Sequence, residues 1–158
     1  MDYDLELRDV KPNYMQRKAL KELNRYRAVG TNRALVVAAA GSGKTYLAAF
    51  DALNFNPKRL LYIVHEGSIL KKSLETFADV FGSAVSYGIF SGEHKEIDAD
   101  FVFATNLSMC KSLELFAKNE FDYIIIARAA YFNYSYEENK KQLENLYKKF
   151  KIKREKGE

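Results

Sequence analysis

The sequence has one cysteine, two prolines and no long apolar run, and each shortage excludes a class of protein. A lone Cys110 cannot form an internal disulfide or a cysteine-based zinc site. Two prolines and a hydrophobic content of 47% argue against a disordered chain. No run is long and apolar enough to span a membrane, and the N-terminus lacks the apolar core of a signal peptide. We therefore expect no membrane partner and a cytoplasmic location.

Size and charge narrow the remaining classes. A length of 158 residues is enough for one domain with a sizeable core. The formal net charge is +4 and the sequence pI is about 9.0. This balance permits a nucleic-acid partner, although an ordinary solvated basic surface explains it equally well.

Apolar runs alternate with helical patterns through most of the chain. Near-continuous apolar strands separated by helices predict an α/β fold with a mainly parallel sheet. We expect one domain over residues 1–135, followed by an amphipathic helix and a charged tail over 136–158. The predicted strands are 34–37, 59–64, 84–90, 101–104 and 121–126; the predicted helices are 13–27, 44–53, 69–81, 107–117 and one within 137–150, and residues 91–94 are predicted as a loop.

A glycine loop lies between the first predicted strand and the helix that follows it. Residues 38–45 read Ala-Ala-Ala-Gly-Ser-Gly-Lys-Thr. Gly41 and Gly43 allow a tight turn that brings backbone N–H groups close to a phosphate. Lys44 can reach the outer phosphates of a nucleotide, and the hydroxyl of Thr45 can ligate Mg²⁺. The alternative is a plain glycine-rich turn, but Lys44 and Thr45 in register favour a phosphate-binding P-loop.

These motifs resemble the first RecA-like domain of superfamily-two DNA helicases. The resemblance covers about residues 7–126 and is strongest to DEAD/DEAH-type proteins and type III restriction subunits. It implies a RecA-like P-loop NTPase fold, a three-layer sandwich with a mainly parallel sheet. Residues 12–16 resemble the segment whose glutamine reads the adenine edge, and residues 121–126 match the strand that carries the Walker B acid.

The resemblance also implies ligands and partners. ATP or ADP with Mg²⁺ would be the nucleotide ligand, with Thr45 the residue nearest to the metal. DNA and a second RecA-like domain would be the macromolecular partners. The implied nucleotide-binding residues are Gln16, Gly41, Ser42, Gly43, Lys44 and Thr45, and the implied nucleic-acid contacts are His65, Gly92 and Thr105.

The sequence departs from this family at the catalytic acids. The family strand ends in Asp-Glu, whereas Ala127 and Arg128 stand at the corresponding positions. No catalytic residue is assigned for this reason. Glu66 is a candidate substitute acid, with a solvated carboxylate as the simpler interpretation. Arg128 is a candidate phosphate contact in the vacated Mg²⁺ region.

Three functions remain open at this point. We favour an ATP-binding, helicase-like domain that is impaired in ATP hydrolysis. An active ATPase completed by another domain or chain, and a non-enzymatic nucleic-acid or protein module that keeps the loop as a scaffold, are the alternatives. An aromatic cluster after the fifth strand could stack on bases, pack the last helix or mediate self-association; it comprises Tyr131, Phe132, Tyr134 and Tyr136.

Overall fold

The computed structural model describes residues 10–39, 41–127 and 136–150, with side chains in the last segment from residue 140. The chain divides into two compact units. The first comprises Met1–Asn56 and Glu75–Ala84, and the second comprises Pro57–Leu74 and Val85–Glu158. No helix among the described residues has the length and apolar character needed to cross a bilayer.

The regular elements of the first unit, among its described residues, are all helical. It contains α1 (Tyr14–Ala28), α2 (Lys44–Phe55), the last turns of α3 (Gly67–Phe81) and a 3₁₀ turn at Gly82–Ala84. Helix α1 begins with a capping box. The Asn13 side chain accepts from the Gln16 N–H, and the Gln16 side chain accepts from the Asn13 N–H, each at 2.9 Å. This reciprocal pair satisfies two backbone donors and fixes where the helix starts.

Apolar and ionic contacts join α1 to α2 within this unit. Leu20, Leu47 and Phe50 form a small buried cluster. At the end of α1, the Arg27 guanidinium donates to the carboxylate of Asp51 at 2.8 Å. Asp51 is nearly fully buried, so the ion pair compensates for a charge taken out of water.

The second unit contains the sheet. The strand order is β3-β2-β4-β1-β5; β2 and β3 are antiparallel and all other neighbours are parallel. Every residue of β1 and β4 is buried, as expected for strands covered on both faces. The strands are β1 (Leu60–Val64), β2 (Tyr87–Ser91), β3 (His94–Lys95), β4 (Phe101–Thr105) and β5 (Tyr123–Ile126).

Two further helices complete the second unit, α4 (Asn106–Lys111) and α5 (Tyr136–Lys149). Leu143 and Leu146 of α5 join a core cluster with Met109 of α4 and with Phe116. Cys110 packs at the margin of this cluster. Cys110 therefore serves core packing.

The amino ends of β1 and β5 are fixed by polar contacts. The Asp122 carboxylate accepts from the backbone N–H groups of Lys58 and Arg59, both at 2.9 Å. The Arg59 guanidinium pairs with Glu120 and lies over the Phe121 ring. Asp122 therefore lies at the amino end of β5 and not at the carboxyl end, where a Walker B acid would lie.

The predicted strand at 34–37 is wrong. These residues are irregular and solvent-exposed, with Leu35 72% and Val37 85% accessible. A strand needs a neighbour for its backbone hydrogen bonds, and no other strand occurs in the described part of the first unit. An apolar run alone does not supply that neighbour.

Smaller differences concern where elements begin and end. The third predicted strand starts at Tyr87, because Gly82–Ala84 forms a 3₁₀ turn. The predicted loop at 91–94 is a tight hairpin in which Ser91 pairs with His94. The predicted helix at 107–117 is interrupted, because Ser112 leaves helical geometry after Lys111 and a 3₁₀ turn follows at Leu113–Leu115. The other predicted helices and strands are confirmed within a few residues.

Candidate functional site

The glycine loop turns sharply before α2. Gly41 and Gly43 have positive φ angles of 76° and 84°, a conformation that strongly favours glycine. The Ser42 hydroxyl and the Ser42 N–H both donate to the Ala39 carbonyl oxygen, at 2.5 and 3.2 Å. The segment therefore forms a compact turn that delivers the chain into the first turn of α2.

The N-terminus of α2 is suited to an anion. Gly43 is the N-cap residue and provides no side-chain cap, and the first turn contains no acidic residue. Its N–H groups and the positive end of the helix dipole therefore point toward the glycine loop. Lys44 and Thr45 open the helix and are half-buried. Within the described residues, neither side chain forms a hydrogen bond or an ion pair, so both can turn toward a phosphate.

Gln16 lies against the same loop. Its Nε2 donates to the Gly43 carbonyl oxygen at 3.1 Å, although the two residues are 27 positions apart. A Cβ at position 43 would lie only 2.6 Å from that Nε2. The φ angle of Gly43 therefore favours glycine, and a Cβ there would also displace the Gln16 amide from the loop. The structure brings together all of the predicted nucleotide-binding residues except Arg128, which lies outside the described residues.

The predicted nucleic-acid contacts lie in the second unit, just beyond the carboxyl ends of parallel strands. His65 follows β1, Gly92 follows β2, and Thr105 ends β4. Because β2, β4 and β1 are adjacent, these residues share one edge of the sheet. A Cβ at Gly67 would contact Ser91 Oγ at 3.3 Å and Thr105 Cγ2 at 3.8 Å, which shows how closely the three strand ends converge.

The side chains at this edge differ in what they already contact. The Thr105 hydroxyl accepts from the Ser108 N–H at 3.2 Å and donates to the Ser108 hydroxyl at 2.9 Å, so it caps α4. Gly92 is exposed and has a φ of 59°. His65 is half-buried, and Glu66 is exposed. Glu66 as a substitute acid stays a prediction.

The position of the missing acid is visible at Ala127. Its N–H donates to the Ile63 carbonyl oxygen at 2.9 Å, so Ala127 continues the parallel hydrogen bonding beyond β5. A methyl group at this position cannot ligate a metal. Within the described residues, no group of three or more His, Cys, Asp or Glu side chains could hold a metal ion. The predicted aromatic cluster of Tyr131, Phe132, Tyr134 and Tyr136 lies outside the described side chains.

Two groups with shifted pKa values lie in the second unit, away from the glycine loop in sequence. Burial raises the pKa of Tyr87 to about 12. Burial also raises the pKa of the Cys110 thiol, which donates to the Gln142 carbonyl oxygen at 3.2 Å. A raised pKa lowers the thiolate fraction, which agrees with a packing role for Cys110 and not with a nucleophilic one.

Sequence and structure comparisons give consistent results. A family described as "Type III restriction enzyme, res subunit" matches residues 9–153. No curated protein sequence matches the chain. Two similar solved structures are the Sulfolobus solfataricus SWI2/SNF2 ATPase core in complex with dsDNA and the UvsW helicase from bacteriophage T4.

The structural matches establish the fold. The SWI2/SNF2 core is 23% identical with a TM-score of 0.58, and 77% of this chain aligns with 27% of that chain. UvsW is 16% identical with a TM-score of 0.65, and 89% of this chain aligns with 49% of that chain. The chain thus spans about a quarter to a half of these proteins. The predicted α/β class, with a RecA-like fold and a mainly parallel sheet, is confirmed.

Proposed function

Because this chain belongs to the type III restriction enzyme res subunit family, we propose that it is an ATP-binding, helicase-like domain. The observation that carries the proposal is the glycine loop at the uncapped N-terminus of α2. Backbone N–H groups, the helix dipole and the Lys44 ammonium converge there on one anion site. The triphosphate of ATP is the anion that this family membership favours.

Gln16 is proposed to contact the base. A glutamine amide has two N–H donors and an oxygen with two lone pairs. One donor is used by Gly43 and one lone pair by the Asn13 N–H. One donor and one lone pair remain, which is the pair that an adenine edge requires. The Gln16 side chain can therefore contact the base while it stays hydrogen-bonded to the loop at Gly43.

Mg²⁺ would be held mainly by the nucleotide. The Thr45 hydroxyl, in the first turn of α2, is the residue suited to ligate it beside the phosphates. Ala127 offers no second ligand. We therefore propose that the chain binds ATP and hydrolyses it slowly, because phosphoryl transfer depends on positioning and charge stabilisation that the absent acids would provide.

DNA and a second RecA-like domain are the proposed macromolecular partners. The convergent strand ends at His65, Gly92 and Thr105 support a nucleic-acid surface. The structure of the SWI2/SNF2 core is a complex with dsDNA, and UvsW is a helicase. Both neighbours are much longer than this chain, which supports a companion domain.

Isothermal titration calorimetry with ATP, with and without Mg²⁺, tests the nucleotide site. We expect micromolar to millimolar binding. Lys44→Ala should weaken it about tenfold or more, because a charge-assisted contact of about 1.5–3 kcal/mol is lost. Lys118→Ala is the matched control, since Lys118 is an exposed lysine outside the loop.

Retained affinity in the folded Lys44→Ala variant would refute the assignment of the phosphate site. If the folded parent chain binds no nucleotide, the loop is only a scaffold and the non-enzymatic alternative is correct. Steady phosphate release by the parent chain at a helicase-like rate would instead support an active ATPase.

A further inference from the structure

Helix α1 has an unusual distribution of charge. It carries five cationic residues and a single acid, Glu22. Arg27 is directed to Asp51 of α2. The other four cations, Arg17, Lys18, Lys21 and Arg25, are all exposed, and we refer to them together as the α1 stripe.

The α1 stripe lies on the side of the helix opposite to the core. Gln16 and Leu20 are the buried residues of α1 and define its inner side. Lys18, Lys21 and Arg25 are separated by three and four positions, so they line one outer face, with Arg17 beside them. Tyr14, one turn before Lys18, is 66% exposed on the same face.

Neighbouring groups position the arginines of the stripe without removing its charge. The Arg25 guanidinium donates twice to Glu22, at 2.8 and 3.1 Å, and lies 5.0 Å from the Tyr26 ring centroid. Arg17 donates to the Pro12 carbonyl oxygen at 2.8 Å. In the described part of the chain, Lys18 and Lys21 have no acidic partner. Four cations and one acid leave a local charge of +3 along about 12 Å of helix.

We propose that the α1 stripe binds the phosphate backbone of double-stranded DNA. A duplex carries one negative charge per about 1.7 Å, so about seven phosphate charges lie alongside 12 Å of helix. An acidic protein segment has a lower charge density than a duplex, and the side chains of the stripe are all cationic. Lys, Arg and Tyr side chains commonly contact phosphates in this way without reading sequence.

This site consists of residues other than His65, Gly92 and Thr105, and it requires no nucleotide. Its test is fluorescence anisotropy of a short labelled DNA duplex with the full chain, without ATP, at several salt concentrations. The test variant is the double substitution Lys18→Gln and Lys21→Gln. The matched control is Lys140→Gln with Lys141→Gln on α5, which changes the net charge by the same amount.

We expect the α1 double variant to reduce the magnitude of the negative slope of log affinity against log salt by about 1.8, since each phosphate contact contributes about 0.9. The α5 double variant should leave that slope nearly unchanged. Circular dichroism and the unfolding midpoint establish that both variants are folded. The duplex titration contains no nucleotide and the ATP titration contains no DNA, so failure of the nucleotide assignment and failure of this proposal are distinguishable.

Four results would overturn the proposal. The slope could remain unchanged in the folded α1 variant, or fall equally in both variants, in which case net charge alone governs binding. Poly-glutamate could compete as well as duplex DNA, which would identify an acidic protein segment as the partner. Equal affinity for a single strand of the same length, with the same loss in the α1 variant, would refute the choice of a duplex.

Discussion

At the scale of single residues, two arginines on α1 are chemically identical but differ in environment. Arg27 pairs with Asp51, whose side chain is only 5% accessible, whereas Arg25 pairs with the exposed Glu22. Breaking a buried pair leaves an uncompensated charge in the interior, and an exposed pair is mostly screened by water. We therefore expect Arg27→Ala to lower the free energy of unfolding by about 2–3 kcal/mol. This is less than for a fully buried pair, because the Arg27 side chain is itself partly exposed.

Urea unfolding followed by circular dichroism measures this difference. Arg25→Ala is the matched control, two positions away on the same helix, and should leave the unfolding midpoint nearly unchanged. Equal effects of the two substitutions would show that burial of Asp51 does not govern the Arg27 contact.

A second residue-scale prediction concerns alkaline pH. The pKa of Tyr87 is raised to about 12 by burial, against about 10 in an unfolded chain. The folded state therefore holds the phenolic proton more tightly. The corresponding stability is fully present below pH about 10 and is lost as the pH rises toward about 12.

Tyr87→Phe removes this titration, since phenylalanine has no proton to lose. We expect its free energy of unfolding to fall less steeply than that of the parent chain between pH about 9 and about 11.5. Denaturant unfolding at several pH values measures both slopes. Parallel curves would mean that water reaches the Tyr87 hydroxyl in the folded state.

The residues of the phosphate loop could be predicted from the sequence because glycine, lysine and threonine occur there at a fixed spacing. The contact between Gln16 and Gly43 could not. It joins a side-chain amide to a backbone carbonyl 27 positions away, and residue types do not encode such a bond. Resemblance to the family suggested Gln16 as a base contact but gave no sign that Gln16 also fixes the loop.

At the scale of elements, hydrophobic periodicity predicted helices and buried strands well because both depend on local pattern. Strand β3 was missed because His94 and Lys95 are polar and exposed, and only the turn at Gly92 makes them pair with β2. The prediction of a strand at 34–37 failed in the opposite way. The apolar residues of this segment match a buried strand, but the described residues of its unit offer no strand to pair with.

Helix α5 gives the element-scale prediction. Leu146 is fully buried in the core cluster that joins α5 to α4. Leu146→Ala should lower the free energy of unfolding by about 2–5 kcal/mol through lost burial and the cavity that remains. It should also accelerate labelling of Cys110 by a thiol reagent, because the thiol donates to the Gln142 carbonyl of α5.

Cys110 is the only cysteine in the sequence, so the labelling rate reports on this contact alone. Leu115→Ala is the control, since that side chain is 51% exposed. Unchanged labelling in a destabilised Leu146→Ala variant would show that α5 stays against α4 until global unfolding.

At the scale of the whole molecule, the proposed loss of hydrolysis can be tested by restoring the family pattern. The double substitution Ala127→Asp with Arg128→Glu reintroduces a metal ligand and a water-positioning acid. We expect ATP hydrolysis to rise roughly 10²-fold, the contribution typical of one strong transition-state contact.

Phosphate release under saturating ATP and Mg²⁺ measures the gain. Adding Lys44→Ala to the restored variant should abolish it, which links the activity to this loop. If the restored variant binds ATP and hydrolyses it no faster than the parent chain, the absent acids are not what limits the rate.

The exposed segment Leu35-Val36-Val37 has a consequence for aggregation at high protein concentration. It is flanked by alanines, carries no charge from position 34 to 40, and favours extended conformations. Uncharged β-forming segments of this length act as nuclei for cross-β aggregates when they are exposed. Its ability to add to an identical segment rises with concentration, so shelf life at high concentration should depend on these three side chains more than on global stability. Val36→Lys would place a charge inside the segment, which should slow this aggregation and lengthen the shelf life.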